Sequence, residues 1–506
     1  MPADILLFLS DQHAAVYGPG GRMAVDTPNL DDLCRSGTSF TAAYTPCPLC
    51  VPARMAMLSS LAPHRTGIYT NNDTLPQNIP TFLHAAAAAG YETVLCGRMH
   101  FLGADQRHGF TRRIAPDITA CGWSRPEEAL RRDLGVHLQT MGYKWCTDVV
   151  GGGESPVVSY DLMVLDRLEE YLAQPHSKPQ LIVVGTYGPH FPYVAPEALF
   201  RKYLRTAQLP PSWPGRDPWL NVQQRSLLPE NDREEIVLAC QAAYKGLVEH
   251  TDGLVGRARR AFDRFCTGRG TARLFAYLSD HGDTVGEHGI YGKKNFFEAS
   301  VRVPMIFAGD GVQAGRQVTA PVSLLDVGPT ICEWTGAVPL PAADGRSLAA
   351  VLSGGQADHD RTVRSELVDR VAGGWLYTEM VLHQGEKYIT CRGDEKNDQL
   401  FDLNQDPYEL YNLAAALPDR AAALAAEGMP ADQAAAQAQD QQLRARQITL
   451  LRAAEAESGG SDPERWHDFP AEAKQPPACC VTTLEGDPGK GQTHRFLGLP
   501  DQPEKG

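Results

Sequence analysis

The pattern of apolar runs predicts an α/β protein with a large, mostly parallel sheet flanked by helices. A smaller C-terminal α+β part with an antiparallel sheet follows it. Three observations carry this prediction. Short apolar runs of strand length alternate with stretches of helical spacing along most of the chain. Several of these runs end in chemically active residues, namely Asp11, His100, His190 and Asp280-His281. In parallel α/β sheets, ligands bind just beyond such strand ends. Finally, the alternation stops near Gly373, where strand-like runs follow one another without helices between them.

Ile5 to Leu9 reads as a buried strand, Pro28 to Arg35 as a helix and Thr38 to Thr41 as a strand. Pro80 to Ala89 is a helix that Gly90 stops, and Tyr91 to Cys96 is a strand running into Gly97-Arg98-Met99-His100. The stretch from 103 to 155 is irregular and is expected to form a wall of the site. Tyr160 to Ala173 has helical spacing, and Leu181 to Val184 is a strand leading to Pro189-His190. Asp232 to Phe262 reads as a long helix with a weak point at Gly253. Arg273 to Leu278 is a strand that ends in Ser279-Asp280-His281-Gly282-Asp283. Val303 to Phe307 and Ala320 to Ser323 are further strands, and Asp326 to Trp334 is a helix. Leu382 to Cys391 and Gln399 to Leu403 read as antiparallel strands, and Ala431 to Glu457 as an Ala-rich helix. The expected division is 1–375 and 376–506.

The 506 residues suffice for a large core and two domains. Lys and Arg number 47 against 61 Asp and Glu, a net −14, which argues against a nucleic-acid or anionic-membrane partner. An anionic substrate then needs a locally positive site. No leader-like or membrane-spanning stretch is evident at the start. Twelve cysteines without a leader point to reduced thiols and a cytoplasmic location. The adjacent pair Cys479-Cys480 has no assigned role.

Cys50 lies in Thr45-Pro46-Cys47-Pro48-Leu49-Cys50-Val51-Pro52-Ala53-Arg54. The prolines exclude helix interior before Pro52, and good helix formers follow it. Cys50 is therefore expected at a helix N-terminus, where free N–H groups and the dipole favour an anion. Arg54, one turn on, adds fixed positive charge. Cys47 and Cys50 also read as a redox pair or half a zinc site, and Cys50 as a buried structural thiol. Asp11-Gln12 and Asp280-His281 offer three oxygen donors and one imidazole, a set suited to a divalent cation. Taken alone, each pair also reads as turn or capping residues.

Cys-x-Pro-x-Arg resembles the signature of the type I sulfatases. Ser279 to Pro304, with Gly286-Glu287-His288-Gly289 and Gly292-Lys293, resembles a second block of that family. Gly97-Arg98-Met99-His100 and Pro189-His190-Phe191-Pro192-Tyr193 resemble two more, and Asp402-Leu403 with Asp406-Pro407 a C-terminal one. The resemblance spans residues 4 to about 415 in matching order. It implies an alkaline-phosphatase-like fold and hydrolysis of small sulfate monoesters. Cys50, oxidised to formylglycine by a formylglycine-generating enzyme, would be nucleophile and metal ligand, releasing sulfate when its second hydroxyl collapses. Asp11, Gln12, Asp280 and His281 would complete a site for one divalent ion. Arg54 would position the formylglycine, Arg98 and His100 would flank it, and His190 and Lys293 would meet the sulfate and the leaving oxygen. His190 is expected as the proton donor and Lys293 as a charge stabiliser.

Three departures from common family patterns matter. Arg98 stands where many relatives carry lysine; it keeps the charge but cannot donate a proton. Met55-Ala56-Met57-Leu58-Ser59-Ser60 replaces a frequent Leu-Thr-Gly run. His281 replaces asparagine, as in choline sulfatases and phosphonate monoester hydrolases, and favours Mn²⁺ with Ca²⁺ next. The alternative activities are phosphonate monoester or phosphodiester hydrolysis by the same site, or a binding protein whose Cys50 stays a thiol. The segment beyond 430 is expected to dock on a second copy in a homo-oligomer.

Overall fold

The computed structural model describes residues 2–103, 105–119, 146–147, 149–153, 155–229, 233–371 and 374–442. Most of the expected wall between 103 and 155, the tail from 443, and Cys479-Cys480 lie outside them. The central sheet has eight strands: β1 (Asp4–Asp11), β2 (Gly37–Phe40), β3 (Glu92–Gly97), β4 (Arg112–Ala115), β5 (Gln180–Pro189), β6 (Arg273–Ser279), β7 (Met305–Gly309) and β8 (Arg316–Val318). Their order is β8-β2-β7-β6-β1-β5-β3-β4. Every pairing is parallel except those of β7, which runs antiparallel to β2 and β6.

β1 is buried along its whole length. Its side chains alternate between two cores, as the pleat requires. Ile5, Leu7 and Leu9 face helices α2 (Cys50–Ser59), α3 (Phe82–Ala88) and α6 (Val327–Thr335). Leu6 and Phe8 face α1 (Pro28–Ser36), α4 (Pro156–Leu172) and α5 (Glu234–Arg269). Gly253 does not interrupt α5. A glycine weakens a helix by only about 1 kcal/mol, and Leu254 and Val255 beside it are fully packed.

The second sheet holds β9 (Val363–Val371), β10 (Gly374–His383), β11 (Glu386–Cys391) and β12 (Gln399–Asp402), all antiparallel. Leu382 to Cys391 is thus not one strand but the end of β10, a turn at Gln384-Gly385, and β11. Gln384 and Gly385 both adopt positive φ, the geometry of a two-residue hairpin turn. The boundary expected at 376 falls inside β10, and the sheet itself begins at Val363.

One face of the second sheet packs Val363, Leu367, Met380, Leu382, Ile389 and Phe401 onto Tyr44, Cys47, Leu49, Phe296 and Phe297. Helix α7 (Pro418–Ala426) covers Val381, Tyr388 and Leu400 on the other face. Residues 431–442 are helical. They lie on their own chain: Ala434 and Ala438 pack with Tyr69, Val368 and Tyr377, and Gln441 donates to Asp73. One face of the described part of this segment, expected to dock on a second copy, is thus taken up within its own chain, while Ala431, Asp432, Gln433, Ala435 and Ala436 are exposed. No helix among the described residues is long and apolar enough to cross a membrane.

Candidate active site

The carboxyl ends of β1, β3, β5 and β6 converge on Cys50. Cys50 is the first residue of α2, as the prolines predict, and all ten residues of that helix are buried. The Val51 N–H is taken by Asn71 Oδ1 at 3.0 Å, and Pro52 has none. The free end of the helix is thereby narrowed to Cys50 itself. The loop before it is held from outside the main sheet: Glu366 N–H donates to Pro46 O and Lys294 N–H to Pro48 O. Cys47 and Cys50 are both free thiols. Cys47 sits in the apolar cluster under the second sheet.

The side chains of Asp11, Cys50, Asp280 and His281 place one ligand atom each within 4.8 Å of one another, all buried. His281 Nε2 and Lys293 Nζ each lie 3.2 Å from Cys50 Sγ, and Asp11 Oδ1 lies 3.8 Å from it. Arg54 ties the two carboxylates together. Its Nε donates to Asp280 Oδ2 at 2.8 Å and its Nη2 to Asp11 Oδ2 at 3.0 Å. Arg98 Nε also donates to Asp11 Oδ2, at 2.7 Å. Asp11 Oδ1 is left facing Cys50, His281 and His190. Two carboxylates and an imidazole beside the side chain of position 50 form a buried set of hard oxygens and one borderline nitrogen that fits a divalent cation. Gln12 Oε1 lies at the edge of this set, 2.6 Å from Lys293 Nζ.

Close backbone approach aligns the strand ends. Gly185 in β5 passes so near β3 that a Cβ there would lie 1.7 Å from Arg98 O. Arg98 is fully buried and almost wholly committed to protein partners. Besides Asp11, it donates to Thr119 Oγ1 at 2.9 Å and to His100 Nδ1 at 2.8 Å, and its guanidinium stacks on Tyr187. His100 adopts positive φ. Asp117 accepts the N–H groups of Met99 and His100 and so fixes that turn.

The charges interact strongly. Burial raises the Cys50 thiol, but Lys293 and His281 outweigh burial and hold it well below its usual value. Burial and Cys50 push Asp11 up, yet Arg98, His190 and Arg54 together hold it far below the carboxylate range. Burial, then Lys293, depresses His190 to about 4. Its Nδ1 faces Phe191 O at 2.5 Å and its Nε2 faces Lys293 Nζ at 2.7 Å. The low value favours the neutral ring, and in this arrangement Nε2 accepts from Lys293 Nζ. Sequence reading passed over Asp117, Thr119 and Asn71 because each reads as an ordinary turn residue. Their function lies in contacts 17 to 21 residues away.

Residues 5–337 match the sulfatase family. Residues 286–423 match the C-terminal region of N-sulphoglucosamine sulphohydrolase. The choline-sulfatase of Rhizobium meliloti is 33% identical over 438 residues, covering 81% of this chain and 82% of that protein. Arylsulfatase K of Mus musculus is 28% identical over 446 residues, covering 82% and 77%. The phosphonate monoester hydrolase of Silicibacter pomeroyi shares the fold, with a TM-score of 0.68 at 20% identity over 97% of this chain and 99% of that one. The family match runs from β1 to α6 and contains every side chain gathered around Cys50. This chain therefore belongs to the sulfatase family and is a sulfuric ester hydrolase.

Proposed function

We propose that the chain hydrolyses small sulfate monoesters with a formylglycine made from Cys50 and one divalent ion, Mn²⁺ favoured and Ca²⁺ next. The observation that carries this reading is the Cys50 side chain at a helix N-terminus, within 3.2 Å of both His281 and Lys293. The Sγ atom stands where a geminal-diol oxygen of formylglycine would lie. Such a diol supplies one oxygen for attack on sulfur and a second whose deprotonation expels sulfate. Asp11, Gln12, Asp280 and His281 would hold the ion, which supplies positive charge against the ester oxygens.

The remaining work belongs to the chain's own residues. Arg54 holds the two carboxylates at fixed separation and offsets their repulsion. Lys293 brings an ammonium to the position-50 side chain, where it stabilises charge on the sulfate. His190 orients that ammonium through Nε2, and the pair delivers the proton that a poor leaving group needs. His100, with Nδ1 held by Arg98, turns its other nitrogen to the remaining space beside Cys50. Arg98 shapes the site through Asp11 and His100.

Support for sulfate over phosphonate esters comes from the 33% identical choline-sulfatase, which covers most of both chains. The test has two arms. Mass spectrometry of the Cys50 peptide should show the aldehyde; a fully active enzyme with an intact thiol sinks the mechanism. Turnover of an aryl sulfate should exceed that of a phenyl phosphonate ester, and the reverse order favours the alternative hydrolase.

A further inference from the structure

We propose that Asp283 is a positioning residue that turns the Gln12 amide so that its oxygen faces the site. The inference rests on the reading of Gln12 as part of the metal site. Gln12 follows β1 at a φ of 69°. Its backbone is held at both ends: its N–H donates to Asp280 Oδ1 at 3.0 Å and its carbonyl accepts from Tyr244 OH at 2.6 Å. What stays open is which end of the amide points where. Amide oxygen and nitrogen are nearly equal in shape, so packing alone does not choose between them.

The partners choose. The Lys293 ammonium has only donors and must face the oxygen, and it lies 2.6 Å from Oε1. Asp283 Oδ2 accepts from Nε2 at 2.5 Å. Asp283 cannot turn away from this task. Its Oδ1 accepts the N–H groups of Val285 at 2.9 Å and Gly292 at 2.8 Å. Tyr193 OH donates to the same carboxylate at 2.9 Å from Oδ2. Gln12, Tyr193 and Asp283 are all fully buried. Gly292 immediately precedes Lys293, so one carboxylate sets both sides of the Gln12–Lys293 contact: the amide directly, the ammonium through the loop that carries it.

The Asp283→Asn variant gives a sharp expectation. The two backbone N–H groups oblige the new side chain to keep its oxygen on them and to point its NH₂ at Gln12. Gln12 then lies between two donors, the introduced NH₂ and the Lys293 ammonium, and its oxygen is no longer held on the site. Partners of metal ligands typically contribute 10–100-fold to affinity. Isothermal titration of ion-stripped protein with Mn²⁺ should show a loss of about that size. Adding Gln12→Glu should reverse it. A carboxylate at position 12 accepts from the introduced amide NH₂ with one oxygen and offers the other to the site. The double variant should bind Mn²⁺ at wild-type affinity or above, a rescue that a merely structural aspartate would not allow.

Unchanged affinity in Asp283→Asn overturns the inference. So does a double variant that binds as weakly as the single one, or fails to fold. If Asp283→Asn does not fold, the double variant alone decides. A wild-type protein that binds neither Mn²⁺ nor Ca²⁺ fails differently: it removes the metal reading of the whole site, and this inference with it.

Discussion

Two buried charge clusters lie at the joints of this molecule, and only one of them is built for chemistry. Around Cys50, Asp11, Arg54, Arg98, Asp280 and Lys293 meet at open strand ends, with Asp11 Oδ1 and the thiol facing one another. Beneath the second sheet, Lys387 is equally buried. Its three donors meet Glu298 Oε1 at 2.6 Å, Glu409 Oε1 at 2.8 Å and Phe296 O at 3.0 Å. Glu409 Oε2 takes the Glu298 N–H, and Arg302 pairs with Glu298 Oε2. Every charge named there meets its opposite within the cluster. Buried charge and shifted acidity occur in both; burial pushes Glu409 up to about 7 despite Lys387. What separates them is the ligand atoms left facing a common space, and their place beyond parallel strand ends.

This contrast can be broken from either side. The largest effect is expected at the open cluster. Cys50→Ala should reduce kcat/KM on an aryl sulfate by about 10⁴-fold or more, as removing a nucleophile does. Its denaturant midpoint should stay near wild type. The closed cluster should behave in the opposite way. Lys387→Met leaves two buried carboxylates facing each other and should lower stability by about 3–5 kcal/mol. The folded enzyme should keep kcat/KM within about threefold, since Lys387 touches nothing around Cys50. Full stability with lost activity in Lys387→Met would merge the two clusters into one functional unit.

Lys293 and His190 sharpen the comparison inside the open cluster. With His190 neutral, Lys293→Ala should slow esters of poor leaving groups about 10²-fold more than those of good ones. His190→Ala should show a smaller gap in the same direction. The measurement is log kcat/KM against leaving-group pKa for the three proteins. A His190→Ala line steeper than that of Lys293→Ala returns the acid role to the histidine.

The smallest effect lies at the outer edge of the second sheet, where His64 Nδ1 meets Glu366 at 2.7 Å. Burial opposes the charged ring, but Glu366 outweighs it and raises His64 above 6.5. A raised histidine adds stability below its unfolded value and loses it as pH climbs through the folded one. Because the ring is partly exposed, the contribution is only about 0.5–1 kcal/mol. The stability gap between wild type and His64→Gln should therefore be present at pH 5.5 and shrink towards pH 9. A gap that grows with pH contradicts the assignment.

Much of the open cluster was legible in the sequence because β-strands of a parallel sheet all deliver their ends to one side. Asp11, His100, His190 and Asp280-His281 each follow an apolar run, so their convergence is legible from the order of the runs alone. The closed cluster was not legible. Glu298 and Glu409 are 111 residues apart and approach only when the second sheet docks. Asp283 was equally hidden, since an aspartate between glycine and threonine reads as a turn. Gly253 misled in the other direction: the packing of α5 on two faces overrides a local preference that sequence alone can register. The fold class was readable because strand and helix periodicities differ; the turn at Gln384-Gly385 was not, because two short apolar strands read as one run.

The reversed direction of β7 has a further consequence. β6 rises to the site and β7 descends from it, with Leu278 paired opposite Met305. The excursion between them, from Ser279 to Pro304, leaves and re-enters the sheet at neighbouring points. The sheet has already closed this loop, and added length raises loop-closure entropy only slowly. Asp280, His281, Asp283, Lys293, Lys294, Glu298 and Arg302 all ride on it. A parallel strand here would have forced the chain back down the full height of the sheet, spending those residues on a crossover. The reversal lets the excursion spend its length on the site: residues 279–304 are buried except at Lys294 and Arg302, and the hairpin beneath them keeps Asp280 and His281 in register.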